Sequence, residues 1–331
     1  MYDRALQKKD FHIGRATTIA RDVACLELSI VNVFFVGPSQ AGDRAWVLVD
    51  TGLPTSREAI VREAERRFGY GARPSAIVLT HGHIDHVGSV RELAEHWDVP
   101  VYAHRLEAPF LTGRSDYPPA DPTVGGGAMA RVASRFFPRR AIDLGSRFQL
   151  LPEDGTVPGM PGWRWIHTPG HTPGHVSFFR DEDRTLIAGD AFVTTKQESF
   201  WAVTTRLQEV WRPPAYFTIN WEASRASVRA LARLEPNVAG TGHGIPMSGE
   251  LLRRELNELA RNFDDVMPDD GRYVRQPALA DEDGVYRVPP PRFDPLPSLL
   301  LGAGVFALVG TKLRRRRANS SLELSRAAAR R

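Results

Sequence analysis

Between positions 81 and 86 the chain reads His81-Gly82-His83-Ile84-Asp85-His86, three imidazoles and a carboxylate in six residues. Neutral imidazole and carboxylate are the ligands that suit zinc and similar first-row ions, and four of them in so short a run are hard to explain as core packing. Three further segments carry the same side chains. His171 and His175 lie in Thr168-Pro169-Gly170-His171-Thr172-Pro173-Gly174-His175, where proline and glycine impose a tight turn. Asp190 closes Ala188-Gly189-Asp190, and His243 stands between glycines in Thr241-Gly242-His243-Gly244. Each of these alone is a weak signal. Together they would suit a pair of metal ions about 3.5 to 4 Å apart, which share a water and lower its pKa from near 16 to about 7. Hydrolysis by the resulting hydroxide is the chemistry to expect.

Such ligands must be presented by rigid elements, and each segment follows a run that reads as a strand. Residues 76–79 form a short buried strand ending beside His81, and residues 45–49 run into Asp50-Thr51-Gly52. Residues 24–36 are β-branched and aromatic and stop at Gly37-Pro38, which reads as one strand closed by a turn. Further strands are expected at 99–103, 147–151, 163–167, 176–179 and 185–188, and helices at 56–68, 88–97, 221–234 and 249–263. Strands alternating with helices imply an α/β architecture. Between 105 and 140 this pattern dissolves into proline, glycine and charge, as expected of a lid or insertion.

The 331 residues, 42% apolar and 25% charged, suit a soluble globular chain with a sizeable core. Its single cysteine, Cys25, excludes an internal disulfide and a cysteine-rich zinc site. The formal charge of +4 is misleading, because residues 312–331 hold eight positive side chains against one negative and leave −3 for the rest. Nucleic acid is therefore not the expected partner. No signal peptide is legible at the N-terminus, so a cytoplasmic location is expected. Residues 1–265 read as the catalytic domain and 266–295 as a proline-rich linker. Residues 296–311 are an apolar segment before the basic tail 312–331. Sixteen residues at roughly 1.5 Å each reach about 24 Å, short of a hydrocarbon core of roughly 30 Å, so spanning is marginal and the readings are a segment resting on the inner membrane face or an apolar tail packed on its own domain or a dimer partner.

In order and spacing the four segments resemble the metallo-β-lactamase superfamily, whose HxHxDH, TPGHTPGH, GD and GH motifs are all present. The resemblance covers roughly residues 20–250 and points to the lactonase and glyoxalase-II-like branch. It implies an αββα sandwich of the α/β (α+β) class, with two central mixed sheets and a dinuclear site at one edge. By position, His81, His83 and His171 would bind the first metal, Asp85, His86 and His243 the second, and Asp190 would bridge them. Asp50 would orient ligands without binding metal. His175 would support its loop, and His12, His96, His104 and His167 would lie outside the site.

The same resemblance implies two divalent ions per chain, zinc foremost with iron or manganese as alternatives, and a hydrolase acting on an ester, lactone or thioester. Asp85 or Asp190 would move the proton to the leaving group. His83 argues against the flavodiiron branch, and His86 argues against a mononuclear dioxygenase. An iron-dependent persulfide-type dioxygenase and a phosphodiesterase or nuclease are the alternatives. Phe192, Phe200, Trp201, Trp211, Tyr216 and Phe217 follow Asp190 and would suit an apolar acyl substrate.

Overall fold

A computed structural model describes residues 6–125 and 137–292. Residues as far as Pro291 form one compact unit. Seven strands make the first sheet in sequential order: β1 (Ala16–Ala20), β2 (Val23–Leu28), β3 (Val31–Val36), β4 (Val47–Val49), β5 (Ala76–Val78), β6 (Val101–Ala103) and β7 (Phe148–Leu150). The second sheet contains β8 (Trp163–His167), β9 (Val176–Arg180), β10 (Thr185–Ile187), β11 (Val238–Gly240) and β12 (Met247–Ser248), with spatial order β12-β11-β10-β9-β8. Both sheets are mixed: β4 runs parallel to β5 and antiparallel to β3, and β10 runs parallel to β11 and antiparallel to β9.

Alternation along the strands explains the layers. In β3, Val31, Val33 and Phe35 join a core with helices Arg57–Phe68 and Val90–Trp97, through Ile60, Phe68, Leu93 and Trp97. Its Phe34 and Val36 point the other way, onto Phe178 and Ile187 of the second sheet. Phe179 and Leu186 of that sheet face Val228, Leu231, Leu252 and Leu256 of helices Trp221–Arg233 and Gly249–Arg261. A sheet covered on both faces needs apolar residues at every position, which is why residues 24–36 read as continuous rather than alternating. The result is the αββα sandwich.

Residues 24–36 form a hairpin rather than the single strand expected. Its tip is Ser29, whose φ of +57° carries the reversal without a glycine, asparagine or proline to mark it. The stretch from 266 is not a free linker either. It packs on the domain through a hairpin of β13 (Leu279–Asp281) and β14 (Gly284–Arg287). Tyr273 Oη donates to the Pro119 carbonyl, and Val285 N donates to Ser115 Oγ at 3.1 Å. These contacts fasten the first part of the expected lid, where Phe110, Leu111 and Tyr117 are buried. Residues 126–136, the apolar segment 296–311 and the basic tail 312–331 lie outside the described residues. No helix among the described residues is long and apolar enough to cross a membrane.

Candidate metal centre

The strand directions bring the ends of β4, β5, β8, β10 and β11 to one edge of the sandwich. There the two sheets touch through backbone: Val176 N donates to the Thr80 carbonyl at 2.9 Å, and Asn32 N to the Gly242 carbonyl at 2.8 Å. The sequence motifs occupy the loops leaving these strands, so residues as far apart in the chain as His81 and His243 converge on one buried spot. All seven residues singled out from the sequence are brought together. Three groups have ligand atoms within 4.8 Å of one another: His81, His83 and His171; His81, His86 and Asp190; and Asp85, His86 and His243.

Asp190 Oδ2 occupies the middle. It lies 3.4 Å from His171 Nε2, 3.1 Å from His243 Nε2 and 3.6 Å from His86 Nε2. Asp85 Oδ2 faces only the second group, 3.3 Å from His243 Nε2 and 3.9 Å from His86 Nε2. In the first group, His83 Nδ1 is 3.1 Å from His81 Nε2 and 3.0 Å from His171 Nε2. Two buried atoms here have no hydrogen-bond partner, His86 Nε2 and Asp190 Oδ1. A ring nitrogen and a carboxylate oxygen buried without partners are costly, and a cation in place of the second group's protons would take both, so this donor set fits a pair of metal ions.

The outward-facing ring atoms are held. His86 Nδ1 donates to Asp50 Oδ2 at 2.8 Å, and Asp50 itself accepts from Thr80 N at 2.8 Å and Thr80 Oγ1 at 2.7 Å. Asp50 does this from a left-handed backbone conformation, φ +58°, stabilised at the start of its turn. His243 Nδ1 donates to the Ile30 carbonyl at the β2–β3 tip, and His81 Nδ1 lies 3.1 Å from Thr80 Oγ1. Such outer hydrogen bonds fix tautomer and ring plane. Both nitrogens of His175 are engaged by protein: Nε2 accepts from Asp190 N at 2.8 Å and Nδ1 meets Thr168 Oγ1 at 2.8 Å. His175 therefore steadies the Asp190 turn. A Cβ on Gly242 would sit 2.0 Å from Asp190 Oδ1, so only glycine admits that carboxylate.

The two groups differ in charge. Burial, reinforced by neighbouring imidazoles, holds His81 and His171 well below the usual histidine range, and burial takes His83 down to about 4. Burial also opposes charge on His243, but the carboxylates of Asp190 and Asp85 outweigh it and lift the pKa to about 10. His86 is likewise held well above its ordinary value, against burial, by Asp190, Asp85 and Asp50. Without a cation, protons neutralise the second group while the first presents free lone pairs.

Sequence reasoning missed Glu107. Its carboxylate is fully buried at 0% exposure and joins the two ligand loops. Oε2 accepts from Gly82 N at 2.9 Å and from Tyr117 Oη, while Oε1 accepts from Thr172 Oγ1 at 2.7 Å and Gly174 N at 2.8 Å. The ring of Tyr117 lies 4.7 Å from that of His83, and Phe217 stands 5.0 Å from the same imidazole. Of the other aromatic residues after Asp190, Phe192 is core, Trp201 is exposed and Trp211 lies beneath Lys196, whereas Tyr216 packs on Phe217. The side chain of Phe200 lies outside the described residues. His12 and His96 are surface residues, and His104 stacks on His167 at 4.4 Å, away from the centre.

A four-layer sandwich with this histidine and aspartate cluster at its edge defines a metallo-hydrolase scaffold. The model of the Metallo-beta-lactamase superfamily matches residues 26–243, and the chain belongs to that family. It is 49% identical over 254 residues to the Probable metallo-hydrolase YflN of Bacillus subtilis (strain 168), covering 76% of this chain and 95% of that protein. It is 30% identical over 222 residues to the Probable metallo-hydrolase YybB of the same organism, covering 67% and 83% of the two chains. Among solved structures, a metallo-beta-lactamase family protein from Thermus thermophilus shares the fold, with a TM-score of 0.50 and 24% identity over 75% of this chain and 81% of that one.

Proposed function

We propose that the chain is a hydrolase that holds two divalent ions, zinc by preference, and cleaves an ester-type bond in a small molecule, a lactone or carboxylic ester ahead of a thioester. One observation carries this reading: Asp190 Oδ2 is shared between His171 of the first group and His86 and His243 of the second. His81, His83 and His171 would hold one ion, Asp85, His86 and His243 the other, and Asp190 both. When bound, the ions would supply an acidified water and a Lewis acid for a carbonyl oxygen.

The protein's own residues do the rest. Asp50 and the Ile30 carbonyl orient His86 and His243, and Glu107 sets the spacing of the loops bearing His83 and His171. Asp85 is better placed than Asp190 to pass a proton to the leaving group, because Asp190 is engaged by three imidazoles while Asp85 faces only the second group. Tyr117 and Phe217 beside His83 provide an apolar flank on the first-group side of the substrate. Outside residues 312–331 the formal charge of −3 argues against a nucleic acid substrate.

The test is proton release by zinc-loaded protein against lactones, thioesters, aryl esters, β-lactams and phosphodiesters, with His83→Ala as the control. Turnover of a lactone or ester, lost in the variant, is expected. Turnover of phosphodiesters alone, or oxygen consumption by an iron-loaded sample without hydrolysis, would replace this reading with one of its alternatives.

A further inference from the structure

A cavity of about 200 Å³ lies beside the β2–β3 tip. The β2–β3 tip and the chain on either side of Leu207 wall it in, with Ile30, Leu207, Ile245 and Gln197 among its lining residues. It neighbours the second ligand group through residues next to His243: the Ile30 carbonyl accepts from His243 Nδ1, and Gly244, also in the wall, follows His243 in the chain. Asn32 Nδ2 locks this wall by donating to the carbonyls of Thr241 at 2.9 Å and Gly244 at 2.6 Å.

The lining determines what chemistry can enter. One wall carries an ion pair in which Arg206 Nε donates to Glu27 Oε1 at 3.0 Å and Nη2 to Glu27 Oε2, while Nη1 donates to the Phe11 carbonyl at 3.2 Å. The guanidinium and carboxylate satisfy each other, so the cavity offers no net charge to a ligand. Gln197 is only 5% exposed, yet its side chain makes no hydrogen bond among the described residues. Its amide atoms reach solvent and can pair with a polar group that enters the cavity. At about 30 Å³ per small group the space takes about six or seven non-hydrogen atoms, fewer than the roughly 300 Å³ or more of a complete ligand pocket. It suits one arm of a substrate.

We infer that this cavity binds an uncharged, mainly aliphatic arm of the substrate, carrying a single hydrogen-bonding group that Gln197 meets, while the reacting carbonyl lies over the metal centre. The inference rests on the hydrolase reading for the position of the carbonyl. It makes the site two-sided, with aromatic residues beside His83 and an aliphatic cavity beside His243, and the cavity side sets the length limit.

The test uses the full chain loaded with zinc and straight-chain carboxylates of two to ten carbons, with binding measured by calorimetry. The carboxylate stands in for the reacting group and the chain probes the cavity. Affinity is expected to rise about fourfold per methylene until about six or seven chain carbons beyond the carboxylate fill the cavity, then to level. Leu207→Trp, at a position 49% exposed, should fill the cavity and remove the rise, with acetate as the short control in both proteins. Ile13→Trp, 57% exposed on the same cavity's rim, repeats the test should the first variant misfold. Phe217→Ala should leave the rise intact. Equal affinity at all lengths, no binding at any length, or a rise that survives Leu207→Trp and disappears in Phe217→Ala would overturn the inference. Because the readout is binding, a protein that hydrolyses nothing in the panel can still show the length dependence, so the two readings fail separately.

Discussion

Gly82 donates its backbone N–H to Glu107 Oε2 across 2.9 Å, between the two metal-ligand candidates His81 and His83. The other oxygen of the same carboxylate holds the Thr172–Gly174 turn that carries His171. One side chain thus sets the distance between two ligand loops more than eighty residues apart in sequence. Glu107→Gln places an NH2 group where protein donors already point, so zinc affinity should fall about 10- to 100-fold with the fold retained. Tyr117→Phe, which removes one of four donors, should have a smaller effect. Competition with a chelating dye measures both, and unchanged affinity in Glu107→Gln would show that the loops hold their spacing without it.

Metal uptake should depend on pH differently in the two groups. His81, His83 and His171 are already neutral at pH 6, so the first ion displaces no proton from them. The second ion must displace the proton that Asp190 and Asp85 hold on His243 up to about pH 10. Its affinity should rise up to about tenfold per pH unit between pH 6 and 9 for each proton displaced. Stepwise zinc titration at pH 6, 7, 8 and 9 reads this; parallel behaviour of both sites would contradict it.

His171 and His175 should separate cleanly although they share one turn. His171→Ala removes a proposed ligand and should leave about one zinc per chain. His175→Ala removes only the acceptor for Asp190 N and should keep two, bound about tenfold more weakly. Elemental analysis after dialysis distinguishes these outcomes.

Acid stability offers a check away from the centre. Burial lowers the pKa of His104 from 6.5 to about 3, with His167 and Arg105 adding to the effect. The unfolded chain takes up this proton near pH 6.5 and the folded protein only near pH 3. Lowering the pH from 6.5 towards 3 therefore favours unfolding, and above 6.5 the contribution is level. His104→Asn keeps an acceptor for Leu106 N and should flatten part of the loss between pH 4 and 6, seen in urea unfolding of the metal-free protein. An unaltered slope would mean the pair titrates normally.

Trp46 is buried between Phe68, stacked at 4.3 Å, and Trp97, edge-on at 5.6 Å, on the helix-covered face of the first sheet. Trp46→Ala should cost about 3 to 5 kcal/mol of stability. Zinc stoichiometry should stay at the wild-type value, since the change lies at the far end of β4 from Asp50.

The clustering of the candidate ligands was legible because their residue types are chemically rare in such density and because proline and glycine mark the turns that present them. The layers were legible from β-branched runs. Glu107 was not: in Arg105-Leu106-Glu107 it reads as one more charge on a surface, and only the approach of two distant loops buries it. The reversal at Ser29 gave no signal because a serine in a left-handed conformation depends on the strands it joins. The hairpin β13–β14 was hidden among prolines, since what holds it is contact with residues 115–121 rather than its own pattern.

The sharing of ligands between the two sheets also bears on the order of synthesis. A growing chain has made the first group once residue 171 exists, but the second waits another 72 residues for His243. The strand that carries His243, β11, must then insert beside β10 before Gly242 can meet both Gly189 and Asn32. The His243 imidazole thus joins Asp85 and His86 only in a chain whose sandwich has closed. Occupancy of the second position would serve as a mark of completed manufacture, which no truncated or half-folded product could carry.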